Sequence, residues 1–271
     1  MRDIIPIQFF KPLTLGTRRT EIMYVKKTII YGNRIEERKY HTRRFRPKDG
    51  KRQRREKITP EKIQENNERN SVRNLYRLLV GNFSSEDYHV VLTYGESDRP
   101  DPEGAKERLK KLFAKLRKWF RKQGGELKFI AVTEWMKKKV HHHVVISGMD
   151  GLARALRKLW TGGVHMEPLF ENKDFQGLAE YLVKETKKSF RQQGSPIRQR
   201  YTHSRNLKKP IEKIKVIDAE SWREDIVVPR RFRDAGYLLD KSSVVSGFDF
   251  FGYPFLEYQF VRYLEDENAV V

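Results

Sequence analysis

The chain has 271 residues, with 57 Lys+Arg against 36 Asp+Glu, a formal net charge of +21 and no cysteine. Without cysteine, disulfides, thiol nucleophiles and zinc ribbons are excluded, and a reducing compartment fits. A hydrophobic share of 38% and an aromatic share of 12% suit a globular chain, and the charge favours a polyanion, most simply nucleic acid, over an anionic membrane surface.

No run of about 18 apolar residues is present, so no transmembrane helix is expected. The opening stretch is broken by Pro6, Lys11 and Pro12 and lacks a signal-peptide core. Residues 1–57 read as a basic N-terminal extension. Within it, Glu21–Gly32 alternates loosely as a strand, with Arg34–Phe45 as its partner. Arg34–Lys57 holds 12 Lys+Arg and 4 Asp+Glu, which reads equally as a solvated linker or a phosphate-binding arm.

Residues 58–190 read as the core. Thr59 as N-cap and Pro60 at the first helical position open a lead-in helix running to about Leu79. Tyr88–Tyr94 is a buried strand. Asp101-Pro102-Glu103 starts a helix that ends at Gly124-Gly125, with Leu109, Leu112, Phe113, Leu116 and Phe120 on one stripe. From Lys106 to Lys122 this helix carries 9 Lys+Arg and 1 acid, which favours a phosphate-facing surface over an ordinary solvated face. Leu127–Trp135 and His141–Ser147 are strands joined by the turn Met136–Lys139. Leu152–Trp160 is a short helix, Val164–Leu169 a strand, and Asp174 caps a helix through about Ser189. The order β-α-β-β-α-β-α predicts an α+β, ferredoxin-like split βαβ core with a central antiparallel sheet and an added helix. Residues 191–271 read as a C-terminal extension packed on the core; in it Ser204–Leu207 and the aromatic-rich Gly247–Tyr263 look ordered.

Three consecutive histidines, His141-His142-His143, fall inside a strand. Alternate side chains share a face, so His141 and His143 point together and His142 points away. A two-residue loop at Lys137-Lys138 pairs position 134 with 141 and sets Glu134 beside His141 on that face, whereas a one-residue slip would send it to the other. Two histidines and a carboxylate with open positions make a divalent metal site, compatible with Mn²⁺, Mg²⁺, Zn²⁺, Co²⁺ or Ni²⁺, able to polarise a phosphate oxygen. The plainer reading is a run of histidines satisfied by hydrogen bonds in the sheet. His165, on a neighbouring strand, could compete with Glu134; His41, His89 and His203 read as structural.

In the helix Asp174–Ser189, Phe175, Leu178, Ala179 and Leu182 form the core stripe and Tyr181 lies at its edge. At about 100° per residue, Lys184 falls roughly 60° and Lys188 roughly 20° from Tyr181. Ammonium groups favour the phenolate and can neutralise a phosphate, and tyrosine is a covalent nucleophile in enzymes. Alone, Tyr181 reads as an amphipathic boundary residue; beside the histidine strand it reads as a nucleophile.

These pieces together resemble the HUH endonuclease superfamily, and more closely the rolling-circle replication initiators of phages, plasmids and small circular DNA viruses. Val90-Val91-Leu92-Thr93-Tyr94 resembles the first family motif. His141-His142-His143 resembles the second, with histidine replacing the usual apolar middle residue. Tyr181-Leu182-Val183-Lys184 resembles the third, and Glu134 matches the spacing of the acidic third ligand. The likeness extends over about 59–210.

The resemblance implies the HUH endonuclease fold and a nicking and joining activity on single-stranded origin DNA. Its cofactor would be a divalent metal ion, Mn²⁺ or Mg²⁺, held by Glu134, His141 and His143. Tyr181 would attack the scissile phosphate, giving a 5′-phosphotyrosine and a 3′-hydroxyl that primes synthesis. Lys184 would bind phosphate or position the metal-bound groups, and Thr93, Tyr94 and Lys188 would contact DNA. Host helicase and polymerase are the implied partners, since no Gly-x4-Gly-Lys-Ser/Thr segment is present. The implied setting is the cytoplasm of a bacterial host cell, as a monomer or weak dimer without a membrane partner. A single motif-III tyrosine means that a second transfer needs another protomer or renewed use of Tyr181. An HUH transposase or relaxase, and a non-enzymatic basic nucleic-acid-binding protein, are the competing readings.

Overall fold

The computed structural model describes residues 23–42, 60–136, 139–169, 175–191, 200–217, 226–249 and 252–263. Side chains at 60–63, 136, 139 and 185–191 fall outside that description. Among the described residues lie two five-stranded antiparallel sheets and five α-helices, an α+β architecture. No described helix is long and apolar enough to cross a membrane.

The central sheet contains β3 (Tyr88–Thr93), β4 (Phe129–Met136), β5 (Lys139–Ile146), β6 (Val164–Pro168) and the two-residue β7 (Thr202–His203), in the order β6-β3-β5-β4-β7. Its first four members give the fourth-first-third-second order of a split βαβ unit, as the alternation of elements predicts. Helix α2 (Pro102–Lys122) connects β3 to β4, and α3 (Leu152–Leu159) connects β5 to β6. The Asp101 carboxylate accepts from Gly104 N at 2.8 Å and caps α2, with Pro102 at its first position. Gly124, at φ 78°, supplies the left-handed residue just past the helix end.

Pleating divides the central sheet into two working faces. Val90 and Leu92 of β3, Phe129 and Ala131 of β4, and Val144 and Ile146 of β5 pack against Leu109, Leu112, Leu116 and Phe120 of α2 and Leu152 and Leu156 of α3. The opposite face carries Ile130, Val132 and Val145. It is covered by α1 (Pro60–Asn82), through Leu75 and Leu79, and by α4 (Phe175–Arg191), through Ala179, Leu182 and Val183. Burial of each such aliphatic side chain contributes about 1.5–3 kcal/mol relative to exposure, so the sheet holds α4 firmly at its buried stripe.

The second sheet has the order β8-β1-β2-β10-β9. It is built from β1 (Met23–Tyr31), β2 (Arg34–Thr42), β8 (Ile211–Ile217), β9 (Tyr237–Phe248) and β10 (Pro254–Arg262). Strands from the basic N-terminal stretch and from the C-terminal stretch are thus neighbours in one sheet. Helix α1 joins the two sheets, because Ile29 and Tyr31 of β1 share an apolar cluster with Leu75, Tyr76, Ile130 and Val145. A buried ion pair reinforces the joint: Arg77 of α1 donates from Nη2 to Glu36 Oε1 of β2 at 2.7 Å and from Nε to Oε2 at 3.1 Å. The far face of this sheet buries Ile35, Leu256, Tyr258 and Phe260 against Phe232 of the short helix α5 (Arg230–Arg233).

Within the basic stretch Arg34–Lys57, positions 34–42 form β2, and two of its acids, Glu36 and Glu37, are buried. The remainder, together with Thr59, the Lys137-Lys138 loop and Asp174, lies outside the described residues. The basic face of α2 is on the sheet side away from Glu134, His141 and His143, since its apolar stripe meets the Phe129–Ala131 face.

Candidate metal centre and nucleophile

The β4–β5 ladder has the register that a two-residue connection dictates: Glu134 opposite His141, Trp135 opposite Val140, Met136 opposite Lys139. Directly paired residues share a face, so Glu134, His141 and His143 stand on the α1/α4 side. His141 Nε2 lies 2.8 Å and His143 Nε2 3.7 Å from the same oxygen, Glu134 Oε2. One ligand atom from each residue falls within 4.8 Å of the others, a group that could hold a metal ion.

The residues fit such an ion. His143 Nε2 is buried with no hydrogen-bond partner, an orphaned polar atom facing the Glu134 carboxylate. Burial first, and then the neighbouring rings of His89 and His141, push the His143 pKa down to about 4. The ring is therefore neutral near pH 7, the state a metal ligand requires. Two imidazoles and one carboxylate suit a first-row divalent ion and leave room for substrate oxygen.

His142 is turned to the opposite face. It is fully buried, with Nε2 2.7 Å from the Tyr94 hydroxyl and Nδ1 2.9 Å from Thr133 Oγ1. Both ring nitrogens are thus occupied away from the metal group. Burial, with smaller contributions from His141 and His143, lowers its pKa to about 3.

Tyr181, in the middle of α4, is 41% exposed while its neighbours Leu182 and Val183 are buried. Its ring stands edge-on to His143, with centroids 5.3 Å apart and planes at 90°. The helix stripe explains this placement: Ala179, Leu182 and Val183 seat on β4 and α1, which leaves position 181 at the rim above β5. Lys184 is exposed one turn further on. Lys188 belongs to α4, but its side chain lies outside the described residues.

The two motif-I residues part company. Thr93 pairs with His141 and is exposed on the metal-site face. Tyr94 is not brought to that face. It packs at the other side with Trp160, its hydroxyl meets His142, and burial raises its pKa. Tyr94 therefore sits in the core, 9% exposed, rather than along an open groove. His165 stays outside the group: it is exposed and its Nε2 lies 3.0 Å from Glu167 Oε1.

His89 is the neighbour that sequence reasoning missed. Its Nε2 lies 3.3 Å from His143 Nδ1, and the two rings stack. Parity on β3 sets positions 89, 91 and 93 on one face, but adjacency of β3 to β5 is a property of the fold and not of the local sequence.

No curated protein and no solved structure matches the chain. Residues 87–190, which hold Glu134, the three histidines and Tyr181, match a family model of replication-associated proteins, the ORF2 type. The segment that builds this site is therefore similar to a replication initiator of the phage or plasmid Rep type.

Proposed function

We propose that the protein is a nicking and joining enzyme that starts rolling-circle replication by attacking single-stranded origin DNA through Tyr181. The observation that carries this reading is the meeting of Tyr181 with His143, edge-on at 5.3 Å, in a group of donors able to hold a cation. The match to a replication-associated protein supplies the process, and the formal charge of +21 suits a polyanionic substrate.

Glu134, His141 and His143 would hold the divalent ion, which when bound supplies Lewis-acid polarisation of a phosphate oxygen. Tyr181 Oη gives up its proton and forms a bond to phosphorus. The bond from phosphorus to the 3′-oxygen breaks, and that oxygen takes up a proton. The products are a 5′-phosphotyrosine and a free 3′-hydroxyl. Exchange of one phosphodiester for another conserves bond energy, so a later 3′-hydroxyl can displace Tyr181 and close a circle. Lys184, exposed on α4 one turn beyond Tyr181, is placed to neutralise phosphate charge, and Thr93, paired with His141, borders the path of the strand.

The test is a covalent-adduct assay on a library of single-stranded oligonucleotides with Mn²⁺. The expected result is a protein–DNA band that survives denaturation and disappears in Tyr181→Phe, with oligonucleotide binding retained. An adduct that persists in Tyr181→Phe would remove Tyr181 as the nucleophile.

A further inference from the structure

His89 takes no part in the steps above, yet it touches the site. It is half-buried on β3, opposite Val145 of β5 and on the face that carries His141 and His143. Its ring lies nearly parallel to that of His143, centroids 5.4 Å apart and planes 13° from parallel, with Nε2 3.3 Å from His143 Nδ1.

A neutral imidazole carries a single N–H. Two imidazole nitrogens in contact form a hydrogen bond only when one bears the proton and the other is bare. Two arrangements satisfy this. In the first, His143 Nδ1–H donates to His89 Nε2, and His143 Nε2 keeps its lone pair. In the second, His89 donates to a bare His143 Nδ1, and His143 Nε2 must carry the proton. That nitrogen is buried without a partner, and Glu134 Oε2 is 3.7 Å away, beyond hydrogen-bond reach. The second arrangement strands a buried donor, so the first is preferred.

We propose that His89 is a positioning residue for His143: its Nε2 accepts the His143 Nδ1 proton, fixing the tautomer and ring angle that direct His143 Nε2 toward a divalent cation shared with Glu134 and His141. The inference rests on the metal reading of that group. Ligating histidines regularly hand their second N–H to an acceptor, and loss of that acceptor typically costs 10–100-fold in metal affinity. Here the acceptor is an imidazole on the adjacent strand, so β3 and β5 orient the ligand jointly.

The experiment uses the full chain and two readouts. In metal-free, ¹⁵N-labelled protein, the nitrogen shifts of His143 should report the Nδ1–H tautomer in wild type and a mixture in His89→Ala. A wild-type His143 protonated on Nε2 overturns the proposal. In an Mn²⁺ titration followed by electron paramagnetic resonance, His89→Ala should raise the dissociation constant about 10–100-fold. His89→Gln, whose amide oxygen can accept the same proton, should recover most of the affinity, a rescue that loss of packing would not give. An unchanged dissociation constant in His89→Ala overturns the proposal. Failure of the wild type to bind any divalent ion overturns the metal reading instead, and the tautomer measurement then decides the His89 hydrogen bond by itself.

Discussion

His142→Leu puts an apolar residue at the centre of the histidine triplet and tests what that side chain does. His142 is fully buried, with one ring nitrogen 2.7 Å from the Tyr94 hydroxyl and the other 2.9 Å from Thr133 Oγ1. Leucine removes both bonds. Thr133 is half-buried and can turn to water, but Tyr94 is only 9% exposed. A hydroxyl left unsatisfied there costs about 1–3 kcal/mol. Leucine offsets part of this by burying more apolar surface, so the single substitution alone is a poor measure of the bond. A double-mutant cycle isolates it. Tyr94→Phe should destabilise by about 1–3 kcal/mol, because it leaves His142 Nε2 unpartnered. Adding His142→Leu to that background strands no polar group at position 94, so the two losses should not sum. The coupling energy expected from urea unfolding of the four proteins at pH 7 is about 1–2 kcal/mol. Additivity within about 0.3–0.5 kcal/mol would refute the argument. Loss of Mn²⁺ binding in a stably folded His142→Leu would also refute the division of the triplet into two ligands and one anchor.

Metal should stabilise the folded chain: free Mn²⁺ at about 100 times its dissociation constant should add roughly 2.7 kcal/mol to the unfolding free energy, and Glu134→Gln or excess chelator should abolish the gain in a thermal melt. Leu182 is 1% exposed in the seat of α4, so Leu182→Ala should cost about 2–5 kcal/mol and slow adduct formation by loosening Tyr181 over His143; unchanged stability would show that α4 is held elsewhere. Glu36→Gln leaves the Arg77 guanidinium, 5% exposed, without its charge partner and should destabilise by about 3–5 kcal/mol in urea unfolding. The double replacement Glu36→Leu, Arg77→Met should recover much of that loss.

The core was legible because each of its elements carries a local signal. The Asp101-Pro102 start and Gly124 stop bound α2, and the runs Tyr88–Tyr94, Leu127–Trp135 and His141–Ser147 coincide closely with β3, β4 and β5. The pairing of Glu134 with His141 followed from parity and one loop length. The second sheet was not legible in the same way. Its β1–β2 hairpin was visible, but its other strands come from more than 160 residues further along the chain, and long-range pairing leaves no periodic mark. The surroundings of Tyr94 and His89 were missed for a related reason. Tyr94 follows the exposed Thr93 in the chain, yet its side chain drops to the opposite face and meets His142. His89 looks isolated in the sequence because its partner, His143, is on a strand that becomes its neighbour only through the crossover carried by α2 and the β4–β5 hairpin.

The β4 strand raises a specific problem of register. Phe129, Ile130, Ala131 and Val132 are all buried, so both faces of β4 are apolar at its inner end. A strand of that kind does not set its own pairing by hydrophobic alternation, and a one-residue slip would leave much of the apolar burial intact. The polar residues at the outer end supply the missing specification. Thr133 pairs with His142 on the α2/α3 face, and Glu134 pairs with His141 on the α1/α4 face. A slip would carry Glu134 into the cluster around Leu109 and Trp160 as an unpaired carboxylate, and would strip His142 Nδ1 of its hydroxyl partner. Burying either group without a partner costs more than the sheet gains from slipping. The cation-binding pair and the structural pair are adjacent rungs of one ladder, so the middle histidine guards the register on which Glu134 depends. The His142→Leu, Thr133→Val double variant should therefore weaken Mn²⁺ binding although neither residue touches the metal group, whereas His142→Leu alone, with the Glu134–His141 rung and Thr133 intact, should not.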